Sequence, residues 1–185
     1  MGRLRYKRKK RASDDTSGRA TLTPDQVRQR TFARAIKLLA ARSRSIAELR
    51  ELLLEGRSTN KTVVEEILAR LQEYGYIDDE RFAFGYASLK VRQRPVGRQR
   101  IKRDLVMKKV DGEVAEEALD LVFAEVSEED LIDRAIEKRI RLRGRPKNRA
   151  EAKSLFDHLL RQGFPFELVS DKVRAAAATD LDEEA

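Results

Sequence analysis

Arginine and lysine carry most of the chemistry this sequence has to offer. Nine basic residues and one acid, Asp104, stand between Lys90 and Lys109, and eight bases and one acid, Glu137, between Arg134 and Arg149. Guanidinium and ammonium groups at this density bind phosphate or carboxylate, and on nucleic acid they gain affinity by releasing condensed counterions. The candidate binding residues are Arg92, Arg94, Arg98, Arg100, Lys102 and Arg103 in the first cluster. Arg139, Arg141, Arg143, Arg145, Lys147 and Arg149 form the second. With Ile101 and Leu105 taken as a buried helical face, Arg100, Lys102 and Arg103 project sideways and outward at 3.6 residues per turn. A solvated helix face has the same composition. What favours binding is that the two clusters fall at equivalent joints. No base-reading pattern is visible, so contact with DNA is expected to tolerate any sequence.

Other reactive side chains are scarce. His158 is the single histidine, with no Ser or Cys partner in sequence reach, and reads as an incidental helix residue. Cysteine is absent, which excludes disulfides and thiolate chemistry and suits a reducing cytoplasm. No Gly-x-x-x-x-Gly-Lys-Ser/Thr loop is present to hold a nucleotide for hydrolysis. The carboxylates of Asp78, Asp79 and Glu80 are better explained by helix capping than by a metal or catalytic site. The expectation is therefore no enzyme, no metal and no cofactor. The net charge of +8 asks for an anionic partner, and no apolar run reaches the roughly 20 residues of a membrane helix.

These clusters must be carried by helices. Strand signals are missing, with neither period-two alternation nor Asn-Gly turns. Thr23-Pro24-Asp25-Gln26 supplies an N-cap, a proline at the first helical position and a capping-box glutamine. Ser45 with Glu48, and Thr62 with Glu65, have the spacing of two further capping boxes. Phe32, Ala35, Ile36 and Leu39 form one apolar face. Gly56, Gly75 and Gly163 sit where a left-handed residue would close a helix, and Pro95, Pro146 and Pro165 fall at breaks between apolar stripes. Phe82, Phe84 and Tyr86 are spaced to lie on or beside a core face.

The breaks repeat. Leu49, Ile101 and Leu155 open equivalent second helices, each with an apolar partner four residues on: Leu53, Leu105 and Leu159. Val63, Val114 and Leu168 open equivalent third helices, and Arg92-Gln-Arg-Pro95 matches Arg143-Gly-Arg-Pro146. The period is about fifty residues. The fold class is thus all-α: three tandem three-helix repeats at 23–77, 78–126 and 127–178, flanked by a disordered basic tail at 1–22 and an acidic tail at 179–185. Units this small must pack on their neighbours, which makes an elongated, curved array. Ten acids and no base lie between Asp111 and Asp133, so basic and acidic bands are expected on different parts of the surface.

The run Val64-Glu-Glu-Ile-Leu-Ala-Arg-Leu-Gln-Glu-Tyr74-Gly75-Tyr76-Ile77-Asp78-Asp79-Glu80-Arg81-Phe82-Ala83 resembles the signature of the RecX regulators. There an apolar helix ends in a Leu-Gly-Tyr-Leu-Asp-Asp-Glu-Arg-Phe-Ala-like turn; here Tyr74 and Ile77 replace leucines. Ala35 to Arg50 is similar to that family's first-repeat opening, and Arg98-Gln-Arg-Ile-Lys-Arg-Asp-Leu105 to its second-repeat helix. The loop Gly56 to Lys61 and the basic tail 1–11 depart from the pattern. The resemblance implies a cytoplasmic, monomeric, non-catalytic protein of DNA repair, homologous recombination and the SOS response. It would bind RecA recombinase filaments on single-stranded DNA, and duplex DNA as well, and dampen ATP hydrolysis, strand exchange and coprotease activity. It implies no cofactor. The signature residues themselves read as structural: Gly75 as a left-handed cap, Asp78 or Asp79 as N-cap, and Ile77 with Phe82 as an apolar staple. The alternative is a sequence-tolerant DNA-binding protein of helix-turn-helix-like units.

Overall fold

The computed structural model describes residues 22–56 and 59–181, with side chains as far as 177. Residues 1–21 and 182–185, where the basic and acidic tails are expected, lie outside the described residues, as do 57–58. Among the described residues there are nine helices and no strand: α1 (Pro24–Ala41), α2 (Ile46–Leu54), α3 (Lys61–Glu73), α4 (Asp79–Gln93), α5 (Arg98–Met107), α6 (Gly112–Glu125), α7 (Glu128–Arg143), α8 (Arg149–Gln162) and α9 (Phe166–Leu181).

Local chemistry explains most of the ends. The Thr23 hydroxyl accepts from the Gln26 N–H while the Gln26 side chain returns to the Thr23 N–H, a complete capping box. Ser45 and Asp78 accept from backbone N–H groups three residues on. Gly75 and Gly163 close α3 and α8 at φ 69° and 90°. Two expectations fail. Asn60, not Thr62, caps α3, because its carboxamide, two residues earlier, accepts from the Val63 N–H. Gly56 is not left-handed; among the described residues the positions with positive φ, besides those two glycines, are Gly144 (φ 81°) and Lys109 (φ 61°). The α9 helix continues to Leu181, past the point at which the acidic tail was expected to begin.

The helices pack as successive triplets, α1–α3, α4–α6 and α7–α9. Leu49, Ile101 and Leu155 are buried with their partners Leu53, Leu105 and Leu159. Of the expected third-helix positions Val63 is buried, beside Val64, whereas in the other two units the buried position falls one residue beyond, at Ala115 and Val169. Two apolar cores result. One lies within the first triplet, from Ala35 to Ile77. The other runs through the second and third, from Ala83 to Val173. Phe82 and Tyr86 stack and pack against the second core, but Phe84 is exposed, against expectation, because, two residues from each, it falls on the opposite side of α4 from Phe82 and Tyr86.

The triplets are joined through their middle helices, end to end. Gly97 and Gln99, at the start of α5, donate their N–H groups to the carbonyls of Gln162 (3.0 Å) and Gly163 (3.2 Å) at the end of α8. The Arg98 N–H between them donates to the Glu128 carboxylate at 2.9 Å. Unpaired N–H groups of one helix therefore meet unpaired carbonyls of another, with the dipoles head to tail. No side chain fits here: a Cβ on Gly97 would lie 2.4 Å from the Gly163 oxygen. The end of α5 meets the start of α2 in the same sense. There the buried Ser45 hydroxyl donates to the Lys108 carbonyl, the Ile46 N–H donates to Asp79 at 2.9 Å, and Lys109 pairs with Glu51.

The contrast between two glycines tests this junction. Gly97→Ala is expected to cost about 1–3 kcal/mol through forced separation of α5 from α8. Gly85→Ala, in open space on α4, is expected to gain about 0.5–1 kcal/mol of helix propensity. Denaturant unfolding of both variants checks the opposite signs.

Candidate nucleic-acid interface

The end-to-end junction of α8 and α5 decides where the basic residues go. On α5, Arg98 and Lys102 share a face four residues apart and turn toward α6. Arg98 reaches Glu116 at 2.6 Å and Asp120 at 2.7 Å, and Lys102 also pairs with Glu116. Burial lowers the Arg98 pKa, but hydrogen bonds to Glu116 and Asp120 more than offset this and leave it raised. Lys102 and Arg98 hold Glu116 below the usual carboxylate range. The expected separation of basic and acidic bands is thus broken at α5–α6, where packing brings acids from 116 and 120 against bases from 98 and 102.

Arg100 and Arg103 take the other side of α5. Their guanidiniums donate to the Arg161 carbonyl in the last turn of α8, at 3.2 and 3.5 Å. This neutralises part of that helix's negative end. Arg100 also lies 3.7 Å from Asp104. Asp104 accepts from the Tyr86 hydroxyl at 3.0 Å, and burial, then that contact, push the Tyr86 phenol up to about 12.

Beside these residues open two adjoining clefts. The smaller, about 290 Å³, is lined by Arg94, Pro95, Lys138, Arg139, Leu142 and His158, with Ala135 and Gln162 at its base. The larger, about 540 Å³, is lined by Arg139, Ile140, Leu142, Arg143, Pro146 and Leu155, with Gly144, Ser154 and Glu151. Arg139 and Leu142 line both, so the clefts adjoin at these side chains as a two-part trough, one part between α7 and α8 and the other reaching the α4–α5 joint. Arg139 donates to the Ser154 hydroxyl at 3.3 Å. Burial, then the charges of Arg143 and Arg161, press its pKa down, though a guanidinium stays charged throughout the accessible pH range. Burial first, and then Arg139, Arg161 and Arg143, also press His158 below its ordinary 6.5. Glu151 caps the start of α8, accepting from the Lys147 N–H at 2.9 Å.

Of the twelve basic candidates, Arg94, Arg139 and Arg143 line the trough, while Arg100 and Arg103 bond the Arg161 carbonyl at the end of α8, outside its lining. Arg98 and Lys102 face α6 instead. Arg92, Arg141, Arg145, Lys147 and Arg149 are exposed outside the trough lining. Sequence reasoning passed over Lys138, Arg161 and the placement of His158. The spacing of His158 and Arg161, one turn apart on α8, was the available signal. Among the described residues, no group of three or more His, Cys, Asp or Glu side chains is placed to hold a metal, and no helix is long and apolar enough to cross a membrane.

The signature turn is used structurally. Gly75 and Tyr76 donate their N–H groups to Gln72 and Leu71 carbonyls at 2.9 Å, closing α3, and Asp78 caps α4. Glu80 lies in the first turn of α4 and Arg81 lines a shallow cleft with Tyr76. Burial raises the Asp79 pKa even though its carboxylate accepts from Ile46. Ile77 belongs to the first core and Phe82 packs on the second, so this turn spans the boundary between them.

The fold and site define an all-α protein of tandem three-helix units with a basic trough in the third that reaches the second. Residues 78–119 match the family model described as RecX, second three-helix domain. The Regulatory protein RecX of Chlorobium limicola is 32% identical over 151 residues, 80% of this chain and 91% of that protein. That of Treponema pallidum is 39% identical over 110 residues, 60% of this chain. The crystal structure of RecX from Lactobacillus salivarius aligns over 86% of this chain and 99% of its own, with a TM-score of 0.70 at 21% identity. The chain belongs to the RecX family of regulatory proteins. It spans about two thirds of the length of the Treponema relative and about half of longer ones.

His158 gives the trough a pH signature. Its folded pKa is depressed, so as pH falls the unfolded chain takes up the proton first, and stability declines below about pH 6.5. Thermal melts between about pH 7.5 and 5.5 should show this decline, and His158→Gln should flatten it.

Proposed function

We propose that the chain is a non-catalytic regulator that binds RecA recombinase filaments on single-stranded DNA and restrains their ATP hydrolysis, strand exchange and coprotease activity. The observation that supports this reading is the convergence of Arg94 from the second triplet with Arg139 and Arg143 from the third in one trough on an end-to-end array. Such an array suits a partner that is itself a long polyanionic helix. Membership of a family of regulatory proteins supports a regulator over an enzyme.

In this reading the units 23–77, 78–126 and 127–178 lie along the filament groove and touch neighbouring RecA protomers. The protein acts as a monomer in the cytoplasm. Arg92, Arg94, Arg100, Arg103, Arg139, Arg141, Arg143, Arg145, Lys147 and Arg149 face phosphate or acidic filament surface. Arg98 and Lys102 contribute less, because Glu116 and Asp120 already occupy them.

The decisive assay is ATP hydrolysis by RecA from the same organism on single-stranded DNA, titrated with this protein. Inhibition well below one copy per RecA protomer is expected. A flat response from folded protein that still binds DNA removes the filament reading and leaves the helix-turn-helix-like DNA binder. In DNA binding alone, Arg103→Ala and Arg143→Ala should each lower the slope of log affinity against log salt by about 0.7, as for one lost phosphate contact on a single strand. Lys102→Ala should leave the slope nearly unchanged.

A further inference from the structure

The trough is asymmetric in a way that a simple basic patch is not. One side gathers Arg94, Lys138, Arg139, Arg143 and Arg161 around the half-buried His158, and no carboxylate lines the smaller cleft. The other side carries the apolar groups: Leu142 is exposed, with Ile140, Pro146 and Leu155 beside it, and the Ser154 hydroxyl and the Glu151 carboxylate, which accepts from the Lys147 N–H, also line this part. Like charges crowded around an imidazole favour its neutral form and leave the site short of an anion. A bound phosphodiester would reverse that balance. The larger cleft, about 540 Å³, falls within the range of sites that hold a small organic group. A base on the Leu142 side and a phosphate on the Arg139 side have the polarity of the two walls. An unstacked strand can offer both, because a duplex keeps the faces of its bases stacked and presents only phosphates and base edges.

We propose that this trough is a nucleotide-sized subsite for single-stranded DNA: a phosphodiester sits among Arg139, Arg94 and His158, the attached base lies on the Leu142 and Pro146 wall, and His158 takes up a proton on binding. The assignment of DNA rests on the filament-regulator reading; the polarity of the site does not. Binding then tightens as pH falls, because each bound strand carries one added proton on the protein. The groups that face His158 are Arg94 from the α4–α5 joint, Lys138, Arg139 and Arg143 from α7, and Arg161 from α8. None of these cations titrates near neutrality, so the proton is assigned to the imidazole.

The single histidine makes the test direct, since its ring protons are identified in an NMR spectrum without assignment by mutation. The full chain is titrated with a short oligothymidylate across about pH 5.5–8. Binding should shift the His158 resonances, raise the pH at which they titrate, and strengthen up to about tenfold toward the acid end. His158→Gln should bind with that pH dependence removed. Arg139→Gln should lose about tenfold in affinity. Leu142→Ser, at an exposed position, should lower single-strand affinity to the duplex value. An oligonucleotide that binds with the His158 resonances unmoved overturns the subsite. Inorganic phosphate acting as strongly as the oligonucleotide overturns the role of the base wall. RecA is absent from every arm, so a positive result here with a flat ATPase titration would sink the filament reading and leave the subsite standing.

Discussion

The architecture depends on helices that end on one another. A free helix leaves N–H groups at one end and carbonyls at the other for water to satisfy. At the start of α5, Gly97, Arg98 and Gln99 instead find Gln162, Glu128 and Gly163, all from the third triplet. Gly97 has no side chain with which to cap its own helix. The second triplet is thus completed by the third, and a methyl group at either glycine would meet backbone atoms within 2.4 Å. The shared apolar core from Ala83 to Val173 follows from this close approach.

The first triplet is attached differently. It keeps a core of its own, and the end of α5 meets it through side chains: Ser45 on Lys108, Glu48 with Lys108 at 3.6 Å, and Glu51 with Lys109. Lys109 holds a left-handed conformation that glycine would adopt more easily. Its ammonium pairs with Glu51 across the joint. The array therefore combines one backbone-sealed joint with one polar joint.

Electrostatics follow the packing. The acids of α6 engage Arg98 and Lys102, while burial, and then the neighbouring cations of α7 and α8, depress Arg139 and His158. The trough keeps a net positive charge because Glu151 is the one carboxylate in its lining and already accepts from the Lys147 N–H, against Arg94, Lys138, Arg139 and Arg143. Anion binding is then favoured by the relief of repulsion as well as by direct contact.

Helix identity was legible in the sequence because it is settled within four residues. Thr23 and Gln26 form their capping box, Gly75 and Gly163 are left-handed, and the apolar pairs Leu49–Leu53, Ile101–Leu105 and Leu155–Leu159 are buried. The fifty-residue period followed from those local signals. Local reading erred where two caps lay within reach, as at Asn60 and Thr62, or where one helix offered two faces to its aromatics, as at Phe84. What only the tertiary structure decided was how the units join and which cations remain available. Gly97 owes its role to Gly163, Arg98 to Glu116 and Asp120, and His158 to Arg139, none of them within helical reach. A list of charges has no direction, and the choice between an ion pair and an open binding surface is made only when the helices that carry them meet.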